Sequence, residues 1–475
     1  MAYKVTIGLE IHCEFETISK VFSPSDNSYN DAPNINVAEQ DLGFPGILPS
    51  LNKEAINQAL KVSMALNCKT PDEIVFDRKN YYYPDLPKGY QITQFNKPVG
   101  TDGYIDIEME DGIKRITIQD IHLEEDSASL DHYDTYSLID YNRAGRTLVE
   151  MVTNPCIHSK EEALKLLETY RSIILYCGVS QARSDRGQMR CDVNVSLSST
   201  DKLGQKVEMK NINSFYNVGR AIDYEIKRQT EILENGGKVE QETRRFDDET
   251  GVTYKMRSKA DAVDYKYFIE PNITPIPVTD EWLDEIRKTI PMLQLERKRK
   301  YMDEYDLSEY DSDVLVKIKE VSDFFNDCVA IGCDPKKACN WITGMLMGYL
   351  NETEITISDV PIKPIMIKEL VDLVDNKTIS SKQAKEVFEI MLEEGKEPNV
   401  IVKEKGMMQI TDDSEIHEVV MEVLKENDEQ ARSYNPEKTR MIDFFVGQVM
   451  KKTRGKANPS KTMEILKEEL PKYGK

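Results

Sequence analysis

Val5-Thr6-Ile7-Gly8-Leu9-Glu10-Ile11-His12-Cys13 reads as a β-strand with two unlike faces. Side chains on a strand alternate, so Val5, Ile7, Leu9, Ile11 and Cys13 share one face while Gly8, Glu10 and His12 share the other. One face is made for a core; the other aims a carboxylate and an imidazole the same way. Three further stretches repeat the pattern. Arg115–Leu123 alternates and runs into Asp120-Ile121-His122-Leu123-Glu124-Glu125-Asp126, four carboxylates and a histidine in seven residues. Arg190–Leu197 sets Arg190, Asp192, Asn194 and Ser196 against Cys191, Val193, Val195 and Leu197, and Val207–Asn211 puts Glu208 and Lys210 together. Strands of this kind predict an open sheet whose concave side holds a polar substrate. Adjacent Glu124 and Glu125 face opposite ways on a regular strand, so joint action requires a bulge or a strand end there.

Around these strands the pattern turns helical. Lys160–Tyr176 is opened by a capping box of Ser159 with Glu162, and Asn217–Glu234 stops at Gly236-Gly237. From about Pro291 strand signals fade. Helices are expected at Ser312–Ile331, Lys336–Leu350, Pro364–Val374, Ser380–Glu394, Asp413–Glu426, Pro436–Lys452 and Pro459–Glu469, the last with Asn458 as N-cap. The 475 residues therefore divide into a mixed region, 1–291, a helical region, 292–405, and a helical tail, 406–475.

Composition narrows the function classes. Stretches such as Ser172–Cys177 are far shorter than the ~20 apolar residues a membrane span needs, and Met1–Val5 runs straight into a strand rather than a secretory leader. The expectation is a cytoplasmic protein with no membrane partner. None of the eight cysteines forms a Cys-x-x-Cys pair, which fits a reducing compartment. The net charge of -22 argues against bulk capture of nucleic acid. The tail is the exception: residues 435–475 carry ten Lys/Arg against five acids, with Lys451-Lys452-Thr453-Arg454-Gly455-Lys456 a candidate phosphate contact.

Glu10, His12, Glu124, Glu125 and Asp192 offer hard oxygen ligands and one nitrogen, a set suited to Mg²⁺ or Mn²⁺. Lys79, Arg190 and Lys210 are placed to hold phosphate oxygens, and Asn side chains offer donors for a nucleotide or acyl group. Metal plus cations is equipment for phosphoryl transfer. No P-loop, dinucleotide fingerprint or Gly-x-Ser-x-Gly elbow is present, and Cys13 faces away from His12.

The chain resembles the B-subunit family of aspartyl/glutamyl-tRNA(Asn/Gln) amidotransferases. The likeness runs in order through Ile7–His12, Phe76–Tyr81, Tyr83–Asp85, Tyr90–Ile92, His122–Asp126, Asp140–Arg143, Arg190–Asn194, Lys210–Phe215, Gln241–Phe246, Asp264–Phe268 and Gly455–Pro459. It implies an α+β N-terminal cradle around an antiparallel β-sheet, an all-α helical domain and a small α-helical tail that contacts tRNA. It also implies an ATP- and Mg²⁺-dependent ligase. Members of this family phosphorylate the side-chain carboxylate of Glu-tRNA(Gln) or Asp-tRNA(Asn). They then amidate that group with ammonia sent through a channel from a partner amidase, the A-subunit, while a small C-subunit clasps the pair. By position, Glu10, His12, Glu124 and Glu125 match the family's metal ligands. Lys79, Arg190, Asp192 and Lys210 match its motif positions in the same pocket and are assigned here as catalytic, and Arg190, Asn194, Lys210 and Asn211 fall where nucleotide is expected. The chain departs from the family at Ser127-Ala128-Ser129, where Ala-Gly-Lys is usual, and at Thr147, where proline is usual.

Overall fold

The computed structural model describes residues 3–473 except 31, 211, 213, 259–263, 409–411, 435–439 and 454. It comprises two compact units, Met1–Leu293 and Gln294–Lys475.

The first unit is organised by an eight-stranded sheet. Its strands are β1 (Lys4–Glu14), β4 (Gly100–Met109), β5 (Gly112–Glu125), β6 (Thr147–Thr153), β7 (Met189–Ser198), β8 (Val207–Lys210), β9 (Glu242–Phe246) and β10 (Thr253–Ser258), in the spatial order β10-β9-β8-β7-β1-β6-β5-β4. A separate three-stranded sheet has β2 (Asp77–Asn80) between β3 (Tyr90–Thr93) and β11 (Phe268–Ile269). β1 is central, antiparallel to β7 on one side and β6 on the other. All pairs in the large sheet are antiparallel but one: β8 runs parallel to β9. A parallel neighbour needs a long crossover, and the helix α3 (Phe215–Glu234) supplies it.

The apolar face follows the alternation in β1: Ile7, Leu9, Ile11 and Cys13 are fully buried. Burying one such aliphatic side chain is worth about 1.5–3 kcal/mol. Helices α1 (Lys53–Ala65), α2 (Lys160–Cys177) and α3 complete this core. Their ends follow local chemistry. Ser159 Oγ accepts from Glu162 N–H at 3.1 Å, but the Glu162 carboxylate takes the His158 N–H, one residue earlier than a capping box requires. Helix α3 begins two residues before the expected Asn217, because Ser214 caps it through the Asn217 N–H at 3.2 Å.

The second unit is helical. The pattern at Ser312–Ile331 forms two helices, Glu309–Val316 and Lys319–Ala330. Ile318 takes an extended backbone between them, letting Leu315, Val316, Val321 and Phe325 enter one core. The pattern at Lys336–Leu350 is likewise interrupted, by a π-helical turn over Ile342–Leu346. Asp413–Glu426 forms as expected, and Asn458 Oδ1 caps the last helix, Pro459–Tyr473, through Ser460 and Lys461 N–H groups. Buried apolar residues of this unit fall into two clusters, one from Tyr301 to Val402 and another from Ile416 to Leu470. No described helix is long and apolar enough to cross a membrane.

The seam between α1 and the sheet is tight at Gly100. A Cβ there would lie 2.1 Å from Ser63 Oγ, 2.7 Å from Cys68 Cβ and 2.9 Å from Ile121 Cγ2. Gly100→Ala is expected to cost about 1–3 kcal/mol through overpacking, read as a lower denaturant midpoint. An unchanged midpoint would contradict this packing.

Candidate active site

Register brings the polar face together. Across four strands, Arg190 of β7 stands opposite His12 of β1, His12 opposite Glu150 of β6, and Glu150 opposite His122 of β5. Glu150 Oε2 lies 3.3 Å from His12 Nε2 and 3.1 Å from His122 Nε2, so one carboxylate oxygen bridges two imidazoles. His122 Nδ1 is held by Asp120 at 3.0 Å. Glu124, two residues beyond His122 and so on its face, accepts from the Thr93 hydroxyl at 3.0 Å. Ligand atoms of His12, Glu124 and Glu150 all lie within 4.8 Å of one another.

The next row holds a second carboxylate group. Glu10 stands opposite Asp192, and the Asn194 amide donates to Glu10 Oε1 at 2.9 Å. Glu10, Asp192 and Glu208 also bring ligand atoms within 4.8 Å. Lys210 already neutralises this group, with Nζ 2.6 Å from Asp192 and 3.0 Å from Glu208. Farther along β7, Arg190 Nη2 donates to Asp126 at 2.6 Å, and Arg143 stands 3.7 Å from the same oxygen.

Lys79 enters from the smaller sheet. Burial alone would lower its pKa, but Glu124 and other anionic neighbours more than offset this and raise it, so the ammonium persists. Burial pushes the Glu10 carboxyl up, with help from Glu150. Burial would do the same to Glu150, yet His12 and His122 reverse the effect and hold it well below the usual carboxylate range.

The structure thus gathers Glu10, His12, Glu124, Lys79, Arg190, Asp192, Asn194 and Lys210 around neighbouring rows. It does not bring Glu125 into them. β5 stays regular at its end, so Glu125 faces away from Glu124, where Lys88 grips its carboxylate and the Ile92 N–H donates to it at 2.8 Å. Asn211 lies outside the described residues. The sequence-derived ligand set omits Glu150, although its signal is there: in Thr147-Leu148-Val149-Glu150-Met151 the only charged residue falls on the face opposite two apolar neighbours. Thr147 donates its N–H to Asn27 Oδ1 at 3.4 Å, a bond that a proline at this position would lack.

One imidazole and two carboxylates suit Mg²⁺ or Mn²⁺. Among the described residues two groups have metal-binding geometry, and His12–Glu124–Glu150 is the better candidate because an ammonium already occupies the other. Binding there competes with protonation of His12. Burial would lower the His12 pKa, but Glu150 outweighs it and holds His12 above its ordinary value. Mn²⁺ affinity is therefore weak on the acid side and is expected to tighten by up to about tenfold per pH unit until His12 is neutral, with proton uptake by the buffer. Calorimetric titration at several pH values checks this; a flat profile would remove His12 from the ligand set.

Residues 5–284 match the family model described as the GatB/GatE catalytic domain, and residues 323–470 match the one described as the GatB domain. The chain is 48% identical over 473 residues to the B-subunit of the aspartyl/glutamyl-tRNA(Asn/Gln) amidotransferase of Persephonella marina, covering 99% of this chain and 100% of that one. It is 46% identical over 475 residues to the B-subunit of the same name from Geobacillus kaustophilus, with the same coverage.

Proposed function

The chain belongs to the B-subunit family of aspartyl/glutamyl-tRNA(Asn/Gln) amidotransferases, and from that premise we propose that it activates the side-chain carboxylate of a misacylated tRNA with ATP and Mg²⁺, then amidates it. It is one component of a multi-subunit ligase acting on tRNA. In the first step a carboxylate oxygen of the esterified Glu or Asp bonds to the γ-phosphorus, the bond from that phosphorus to the bridging oxygen breaks, and ADP leaves. In the second, ammonia attacks the acyl carbon, phosphate leaves, and a proton is lost. Ammonia comes through a channel from the partner amidase, the A-subunit, with the small C-subunit completing the assembly.

The observation that carries this reading is the convergence of His12, Glu124 and Glu150 beside Lys79, Arg190 and Lys210. The difficulty of the first step is that two anions must meet, a repulsion of ~1 kcal/mol at 4 Å in water and several-fold more in a drier site. A bound divalent ion would neutralise phosphate charge at the triad. Lys210 is oriented by Asp192 and Glu208, and Arg190 by Asp126, so both cations are fixed before substrate arrives. Lys79 supplies a third from the smaller sheet. With Ser129 where the family usually carries lysine, these three and Arg143 form the cationic side of the pocket.

The tail is proposed as a tRNA contact. Three of its lysines are engaged within the unit, Lys452 with Glu422 and Glu426, Lys461 with Asp413 and Lys472 with Glu469. Lys438 and Arg454 lie outside the described residues.

The test is amidation of Glu-tRNA(Gln) and Asp-tRNA(Asn) by the co-expressed complex, with and without Mg²⁺. Glu150→Gln or Glu124→Gln is expected to cut ATP-dependent amidation by at least about a hundredfold while glutamine hydrolysis persists. Full amidation by either variant would overturn the metal assignment. A wild-type complex that binds tRNA but releases no ADP would identify a scaffold instead.

A further inference from the structure

Next to the His12–Glu124–Glu150 triad stands a run of aromatic rings that carboxylate activation alone does not use. Phe95 and Tyr267 stack with centroids 4.3 Å apart and planes 12° from parallel. Tyr267 meets Tyr265 edge-on at 6.1 Å, and Tyr265 meets Tyr81 at 5.8 Å. Lys79 joins the rings to the acids: its Nζ lies 5.0 Å from the Tyr265 centroid, and it feels the charges of Glu124 and Glu150. Thr93, two residues before Phe95, donates its hydroxyl to Glu124 at 3.0 Å. The rings therefore border the phosphate-handling pocket itself.

Phe95 is 62% exposed, yet it is not a loose loop tip. The fully buried Asp77 carboxylate accepts the Phe95 N–H at 2.8 Å, the Asn96 N–H at 2.9 Å and the Asn96 amide at 2.7 Å. Tyr267 backs one side of the ring. An apolar ring kept in water on a fixed backbone is already ordered for a flat partner, so little conformational entropy is lost when one binds.

We infer that Phe95 and Tyr267 form a stacking platform for an adenine ring, at a position from which the rest of the adenosine extends toward Lys79 and the triad. This rests on the carboxylate-activating reading, in which two reactants carry adenine: ATP, and the 3′-terminal adenosine that bears the amino acid. Stacking on an aromatic ring uses the π-face of the base and needs no hydrogen-bond readout, so the platform suits either source.

The experiment uses the co-expressed complex and two fluorescent probes, 2-aminopurine riboside triphosphate and a tRNA with 2-aminopurine as its 3′-terminal base. Emission from one probe is expected to be quenched on binding to wild type. Phe95→Ala should abolish that quenching and raise the KM of the corresponding natural substrate about ten- to a hundredfold, with kcat and the other KM little changed. Tyr267→Phe, which keeps the stack, should retain the quenching. Quenching of the triphosphate assigns the platform to ATP; quenching of the RNA assigns it to the terminal adenosine. If wild type amidates normally while neither probe is quenched and Phe95→Ala moves neither KM, the platform is wrong and the reaction assignment stands. If wild type shows no ATP-dependent amidation, both fall together.

Discussion

One carboxylate oxygen shared between two imidazoles orders the polar face of the sheet. Glu150 sits on β6 between His12 on β1 and His122 on β5, and it can reach both because antiparallel register sets the three residues in one row. A row of this kind is a cross-strand device: each member is about one strand spacing from the next. The arrangement keeps acid charge tolerable in a half-buried place: Glu150 raises the pKa of both imidazoles, and they lower its own. It also holds His12 and Glu150 side by side, with His12 Nε2 3.3 Å from Glu150 Oε2.

Charge on the rest of the face is balanced in the same local manner. The carboxylates Asp192 and Glu208 hold Lys210, and Asp126 holds Arg190. Removing one partner of such a pair leaves the other desolvated and uncompensated, which costs more than the pair contributes. The cations thus neutralise a sheet face that would otherwise repel itself. Lys79 differs, because its anchor is a separate small sheet and a group of tyrosines. It brings positive charge to the pocket from outside the triad's own strands.

Much of this was legible in the alternation of four segments. β1, β5, β7 and β8 form within a few residues of their expected limits, because period-two burial is a strong constraint when one face must be dry. The polar partners on those strands were legible for the same reason. Glu150 escaped because its strand is short and mostly apolar on both sides, and a single acid between Val149 and Met151 carries little local signal. Glu125 was misleading because adjacency in sequence implies proximity, whereas on a regular strand it implies opposite faces. The parallel β8–β9 pair could not be read locally, since strand direction is set by the length of the connection. The break at Ile318 had no proline or glycine to announce it; shared burial of two short helices decided it.

The central place of β1 has a consequence for biosynthesis. This strand leaves the ribosome well ahead of its flanking partners β6 and β7, which begin at residues 147 and 189. At ~5–20 residues per second, those neighbours begin to arrive roughly seven to thirty-five seconds later. Throughout that interval Ile7, Leu9 and Ile11 have no sheet to enter. The strand that ends as the keystone begins as an unpaired, sticky edge on a nascent chain, so translation speed and chaperone capture help determine how many molecules reach the finished cradle.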